Sequence, residues 1–134
     1  LLLDGAHNPD GARALVKSLK ELDIPALPLI FGTSGDKNVT EMAHILAPIA
    51  SNVILTKSSL NTRATEPKEL VLLFPGLKIH VTSTPQEALD TLEKTFPDCG
   101  GGTVSALIAG SLYLIGEIRP MLLDFPSENR LRSQ

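Results

Sequence analysis

Asp4-Gly5-Ala6-His7-Asn8 places a carboxylate, an imidazole and an amide within five positions of one another. Four more polar clusters follow along the chain. They are Gly32 to Asn38 with Asp36 and Lys37, Thr56-Lys57-Ser58-Ser59 with Asn61-Thr62-Arg63, Thr82-Ser83, and Gly110-Ser111. Each comes directly after a short apolar run. Imidazole, ammonium, guanidinium and hydroxyl groups beside helix amino termini suit a phosphate or a carboxylate, each helix end favouring an anion by ~0.3–1 kcal/mol. Singly, the residues have plainer uses: Asp4 in a turn, Asn8 as a helix cap, Lys37 as a solvated loop lysine. His44 and His80 fall in a helical and a strand pattern, without ligand spacing to His7 or Cys99, so no metal site is expected.

Signatures of other phosphate chemistries are missing. Gly32-Thr33-Ser34-Gly35-Asp36-Lys37 lacks the spacing of G-x-x-x-x-G-K-[ST], and Asn38 follows its lysine. There is no G-x-G-x-x-G for a dinucleotide. A phosphate-accepting receiver domain needs an aspartate closing its third strand, where Thr56-Lys57 stands. The chain is built to touch phosphate without carrying the main cradle for it.

Short apolar runs alternate with helical patterns and would position these clusters. Leu1 to Leu3, Leu27 to Phe31, Val53 to Leu55, Leu77 to Val81 and Val104 to Ala109 are apolar on both alternating faces, as buried parallel strands are. Asn8-Pro9-Asp10 opens the first helix with a cap, a proline and an acid, and Ala12, Leu15, Val16, Leu19 and Leu22 mark its buried stripe. A second starts near Asn38, with Glu41 as capping-box partner and Met42, Ile45, Leu46 and Ile49 inward, Pro48 limiting its length. A short third is expected over Glu66 to Leu73. The fourth opens Thr84-Pro85-Gln86-Glu87 and buries Ala88, Leu89, Leu92 and Phe96; the fifth begins at Ser111 with Leu112, Ile115 and Ile118 inward before Pro120 disturbs it. Gly100-Gly101-Gly102 precedes a strand instead of opening a helix and reads as a turn. The alternation predicts an α/β fold: an open, mostly parallel sheet with helices on both faces, in which ligands bind outside the carboxyl ends of the strands.

At 134 residues the chain fits a single domain, expected over 1–125, with a polar tail over 126–134. With 43% apolar residues it is too hydrophobic for a disordered chain. Its net charge of −3, its pI near 5.5 and the lack of Trp exclude a basic, aromatic-studded face for nucleic acid. One cysteine, Cys99, excludes an internal disulfide framework and suits a reducing, cytoplasmic setting. No apolar stretch is long enough to cross a membrane. The chain opens Leu1-Leu2-Leu3-Asp4, apolar and without Met, and is expected to be a domain cut from a longer protein.

The run Leu3-Asp4-Gly5-Ala6-His7-Asn8-Pro9-Asp10-Gly11 resembles the carboxy-terminal domain of the folylpolyglutamate synthase and dihydrofolate synthase branch of the Mur ligase superfamily. Gly35-Asp36-Lys37-Asn38 resembles that family's Asp-Lys-Asp segment, with Asn38 where an aspartate often stands. Asn61-Thr62-Arg63-Ala64 with Pro67 resembles its arginine–proline loop, and Gly110-Ser111-Leu112-Tyr113-Leu114 its strand-to-helix corner.

The resemblance implies a Rossmann-like domain of an ATP-dependent folate:L-glutamate ligase. In such an enzyme a folate carboxylate is activated as an acyl phosphate and attacked by the amine of glutamate. It implies ATP, folate and glutamate as ligands, and an amino-terminal ATPase domain that carries the phosphate loop and the magnesium ligands. A monomer, free of nucleic acid and membrane, is expected. By the same resemblance Asp4 would accept from the nucleotide's ribose, with His7 and Asn8 beside it. His7 and Lys37 would serve the transferring phosphate. Ser111 would seat the glutamate α-carboxylate or simply cap a helix, and Arg63 would pair with a glutamate carboxylate. Another Mur-type amino-acid ligase and a non-catalytic nucleotide-binding module are the alternatives.

Overall fold

The computed structural model describes all residues except Leu1, Gly5, 35–37, Asn61, 96–105 and 122–134, and only the backbone of Leu2–Asp4 and Arg119. Lys37, Phe96, Cys99, the triple glycine and the expected polar tail therefore lie outside the described residues. In chain order the elements are β1 (Leu2–Asp4), α1 (Pro9–Glu21), β2 (Leu27–Phe31), α2 (Val39–Leu46) with a 3-10 turn at Ala47–Ile49, and β3 (Ala50–Leu55). A 3-10 segment Pro67–Leu73 follows, then β4 (Ile79–Val81), α3 (Pro85–Thr95), β5 (Ala106–Ala109) and α4 (Leu112–Met121).

The five strands form one sheet in the order β1-β5-β2-β3-β4, and every pairing is parallel. Steps from β1 through β4 all move one way across the sheet, and the step to β5 returns over β3 and β2. Right-handed crossovers therefore put α1, α2 and the 3-10 segment on one face and α3 on the other, where α4 packs beside it. Two cores result. Leu29, Phe31, Val53, Leu55, Leu107 and Ala109 pack under α1 and α2, while Ile30, Ile54, Ala106 and Ile108 pack under α3 and α4. Phe31 meets Phe74 edge to face at 5.2 Å between ring centroids, which fastens the end of the 3-10 segment beneath β2.

Local signals account for most helix ends. Asn8 Oδ1 accepts from Gly11 N–H at 2.7 Å, and Thr84 Oγ1 accepts from Glu87 N–H at 3.1 Å, so α1 and α3 are capped as expected. Other expectations are corrected. Asn38 makes no side-chain cap bond, and Glu41 is engaged by Arg13 of α1 in an exposed ion pair between helices. Leu112 stands 60% exposed, because the inward stripe of α4 runs through Leu114, Ile115 and Ile118. Pro120 lies within the last turn of α4, where few further N–H bonds are lost. Leu22, at the C-cap of α1, is 68% exposed. The segment expected as a short helix is 3-10 in form, and β4 is a three-residue, half-exposed edge strand instead of a buried one. Among the described residues no helix is long and apolar enough to cross a membrane.

Hydrogen bonding continues one residue beyond each paired strand end. Gly110 N–H donates to Ala6 O at 2.8 Å, Gly32 N–H to Ala109 O at 3.3 Å, Thr56 N–H to Phe31 O at 3.0 Å and Thr82 N–H to Leu55 O at 2.8 Å. Two of these crossings demand glycine. Gly110 has φ +117°, and a Cβ there would lie 2.1 Å from Gly32 O; a Cβ on Gly32 would lie 2.5 Å from Thr56 O. Gly110→Ala is thus expected to destabilise by about 3 kcal/mol or more, since backbone strain and overlap with backbone add. Gly116→Ala, in an exposed turn of α4 with nothing within 4 Å, should stabilise by up to about 1 kcal/mol. Urea midpoints of the two variants test this, and a Gly110→Ala protein of unchanged midpoint would refute the close crossing.

Candidate functional site

The row of bonds at the strand ends decides which polar residues become neighbours. One residue past Ala6 stands His7, one past Gly110 stands Ser111, one past Gly32 stands Thr33, and one past Thr56 stands Lys57. The chain leaves β1 and β2 toward the face of α1 and α2, but leaves β5, which lies between them, toward the face of α4. Adjacent loops that part to opposite faces open a crevice, the usual ligand position in such sheets. His7 and Ser111 are therefore brought together at one rim, as expected. Asp4, the last residue of β1, is at the same end of the sheet.

His7 is exposed at the mouth of α1, with Nε2 3.4 Å from Asn8 Nδ2. The cap bond occupies Asn8 Oδ1 and so fixes which way the amide points: its NH₂ donates toward His7 Nε2. Ser111 is buried, and its Oγ accepts from Tyr113 N–H at 3.1 Å while its carbonyl accepts from Ile115 N–H. It is the N-cap of α4. Lys57, part of the expected cationic rim, is tied to Glu66 in an ion pair.

Beside this rim lies an open cleft of about 440 Å³ lined by Ser34, Leu60, Thr62, Arg63 and Tyr113. It joins the loop after β2, the loop after β3 and the first turn of α4. Leu60 and Tyr113 are large and more than half exposed, so the cleft offers apolar surface beside a guanidinium. Arg63, expected in the site, lines this cleft, and so does Tyr113 of the strand-to-helix corner.

The loop after β3 is fastened at several points. Thr65 N–H donates to Thr33 O at 2.9 Å, and Thr33 Oγ1 donates to Thr65 Oγ1 at 3.2 Å. At its other end Glu117 of α4 receives the Ser58 hydroxyl at 2.8 Å, the Ser59 N–H at 2.8 Å and the Ser59 hydroxyl. Partial burial pushes the Glu117 carboxyl up, but the Ser59 and Ser58 hydroxyls and the N–H groups of Ser59 and Leu60 outweigh it and hold the carboxyl below its ordinary range. Glu117 was missed in the sequence. Its only signal is being the lone acid between Gly110 and Met121, next to a buried stripe.

The family model of the Mur ligase, glutamate ligase domain, matches residues 1–111. Folylpolyglutamate synthase of Lacticaseibacillus casei is 33% identical over 123 residues, covering 92% of this chain and 27% of that protein. The UDP-N-acetylmuramoyl-L-alanyl-D-glutamate–2,6-diaminopimelate ligase of Caldanaerobacter subterraneus subsp. tengcongensis is 34% identical over 74 residues, 53% of this chain and 15% of that one. Among solved structures, Mycobacterium tuberculosis folylpolyglutamate synthase complexed with ADP and AMPPCP is similar with a TM-score of 0.75 at 25% identity, over 87% of this chain and 28% of that one. The chain spans little more than a quarter of the length of the casei and tuberculosis enzymes.

Because the folded Glu117 carboxyl is the stronger acid, its contribution to stability is present above the unfolded value, about 4.3, and is lost as pH falls through the lower folded value. Urea midpoints at about pH 6 and about pH 3 should fall less for Glu117→Gln than for the unaltered protein. Equal falls would remove this carboxylate from the acid response.

Proposed function

The chain belongs to the Mur ligase family as its glutamate ligase domain, and from that premise we propose that it is the carboxy-terminal domain of an ATP-dependent folate:L-glutamate ligase, a folylpolyglutamate synthase. The observation that carries the reading is the bond from Gly110 N–H to Ala6 O, which makes His7 and the α4 N-terminus neighbours at the switch point of the sheet. Coverage favours the folate branch: 92% of the chain aligns with the casei synthase, against 53% with the diaminopimelate ligase. The whole enzyme is read as a cytoplasmic monomer in which this domain works against its own amino-terminal ATPase domain.

The donors at the rim fit an anionic ligand such as a nucleotide's terminal phosphates. An exposed imidazole and a capped helix mouth stand together. Bound ATP would supply the phosphoryl group that activates the folate carboxyl. Among the described residues no three His, Cys, Asp or Glu side chains converge on a metal, so magnesium finds no ligand set in them and no step here passes through it.

The chain's own residues then divide the work. Asp4 accepts from the ribose hydroxyls, with Asn8 holding the entry to α1. A ring N–H of His7 donates to a phosphate oxygen, or to the oxyanion that forms when the amine attacks the activated carboxyl. Lys37 brings mobile positive charge to the same group. The α4 N-terminus, with the Ser111 hydroxyl, seats the glutamate α-carboxylate, and Arg63 pairs with its second carboxylate through two parallel N–H bonds. The cap bond seen at Ser111 uses an oxygen lone pair and leaves the O–H as a donor.

In the full-length enzyme His7→Ala should lower kcat by about 10²-fold and leave the KM for ATP nearly unchanged, as loss of a transition-state donor does. Unaltered turnover would take His7 out of the mechanism. Ser111→Ala should raise the KM for glutamate about tenfold, beyond a cap loss of about 1 kcal/mol seen separately in the urea midpoint. If only the KM for ATP moves, glutamate sits elsewhere. Turnover with a muramyl acceptor instead of tetrahydrofolate would favour the cell-wall branch and overturn the folate reading.

A further inference from the structure

Ser58 and Ser59 leave β3 on the face of the sheet that α4 covers, and Glu117 is the α4 residue that meets them. One carboxylate takes the Ser58 hydroxyl and both the hydroxyl and the amide of Ser59, with the Leu60 N–H also turned toward it. The Ser58 hydroxyl also accepts from Leu60 N–H at 3.1 Å, so the bond to Glu117 orients the turn that presents Leu60. Leu60, Thr62 and Arg63 line the cleft, and so does Tyr113, one helical turn before Glu117 on α4. The loop and Tyr113 are thereby referred to a single helix. Tyr113 and Glu117 are four residues apart and lie on one side of α4.

We propose that Glu117 is a positioning residue of the ligase: its carboxylate latches the loop after β3 to α4 and sets where Leu60, Thr62 and Arg63 stand against Tyr113 across the cleft. The proposal rests on the reading of this cleft as the glutamate side of the site. It gives Glu117 no contact with substrate. A carboxylate suits the task because it accepts several bonds at once, and charge-assisted bonds are roughly twice as strong as neutral ones. Neither a hydroxyl nor an apolar side chain at position 117 would hold both serines.

The test uses the full-length enzyme and reads two properties. Amide exchange at Ser59 and Leu60 should speed up in Glu117→Ala while exchange in β2 and β3 stays unchanged. The KM for glutamate should rise about tenfold, with kcat and the KM for ATP within about twofold, as expected for a displaced binding wall. Glu117→Gln, which keeps an acceptor oxygen for Ser59 N–H, should recover part of both effects. Ser59→Ala alters an exposed loop residue and covers the case in which Glu117→Ala does not fold. It should raise the same KM about threefold, and the double variant should be no worse than Glu117→Ala alone. Unchanged exchange at Ser59 and Leu60, or additive effects of the two substitutions, would overturn the latch. An enzyme that adds no glutamate to folate would instead sink the functional reading, and the exchange data would still decide the latch.

Discussion

Two glycines set how closely the strand ends of this protein approach one another. Gly110 N–H reaches Ala6 O, Gly32 N–H reaches Ala109 O, and the Gly110 α-carbon faces Gly32 O where no side chain could fit. The parallel ladder thus runs one residue past its strands before the loops diverge. That extra residue matters because β5 sends its chain to the face of α4 while both its neighbours send theirs to the opposite face. Loops bound together at their roots and parting above them make a crevice of fixed width, and His7 and Ser111 are its first occupants.

Electrostatic interactions have unequal weight here. The Arg13 pairs with Asp10 and Glu41 lie on an exposed helix surface, where such bonds contribute well under about 1 kcal/mol each. Glu117 is different, being partly buried and surrounded by donors from one loop. Lys57 with Glu66, and Thr33 with Thr65, close the same loop elsewhere. The result is a polar wall held by side chains from several elements rather than by regular structure. Such a wall can be exact in position and still shift when its anchors change.

Helix starts were legible wherever the signal was local. Asn8-Pro9 and Thr84-Pro85 each combine a cap with a residue that cannot donate, and both form as expected. Glu41 has the spacing of a capping box, yet Arg13 lies 28 residues away in sequence and next to it in space. Leu112 matches an apolar three-residue repeat, but a helix turning at 3.6 residues buries Leu114 instead. The run ending at Val81 carries Lys78 and His80 among its apolar residues, and its place at the sheet edge leaves it half exposed.

The sequence by itself determined the alternation of strands and helices and the caps of α1 and α3, because each of these depends on neighbours within a few positions. Tertiary structure alone decided the strand order, the glycine crossing, and the union of Ser58 and Ser59 with Glu117 across 58 or more residues. Those contacts depend on which strand lies beside which, and a parallel sheet fixes that through crossovers whose destinations no local spacing encodes.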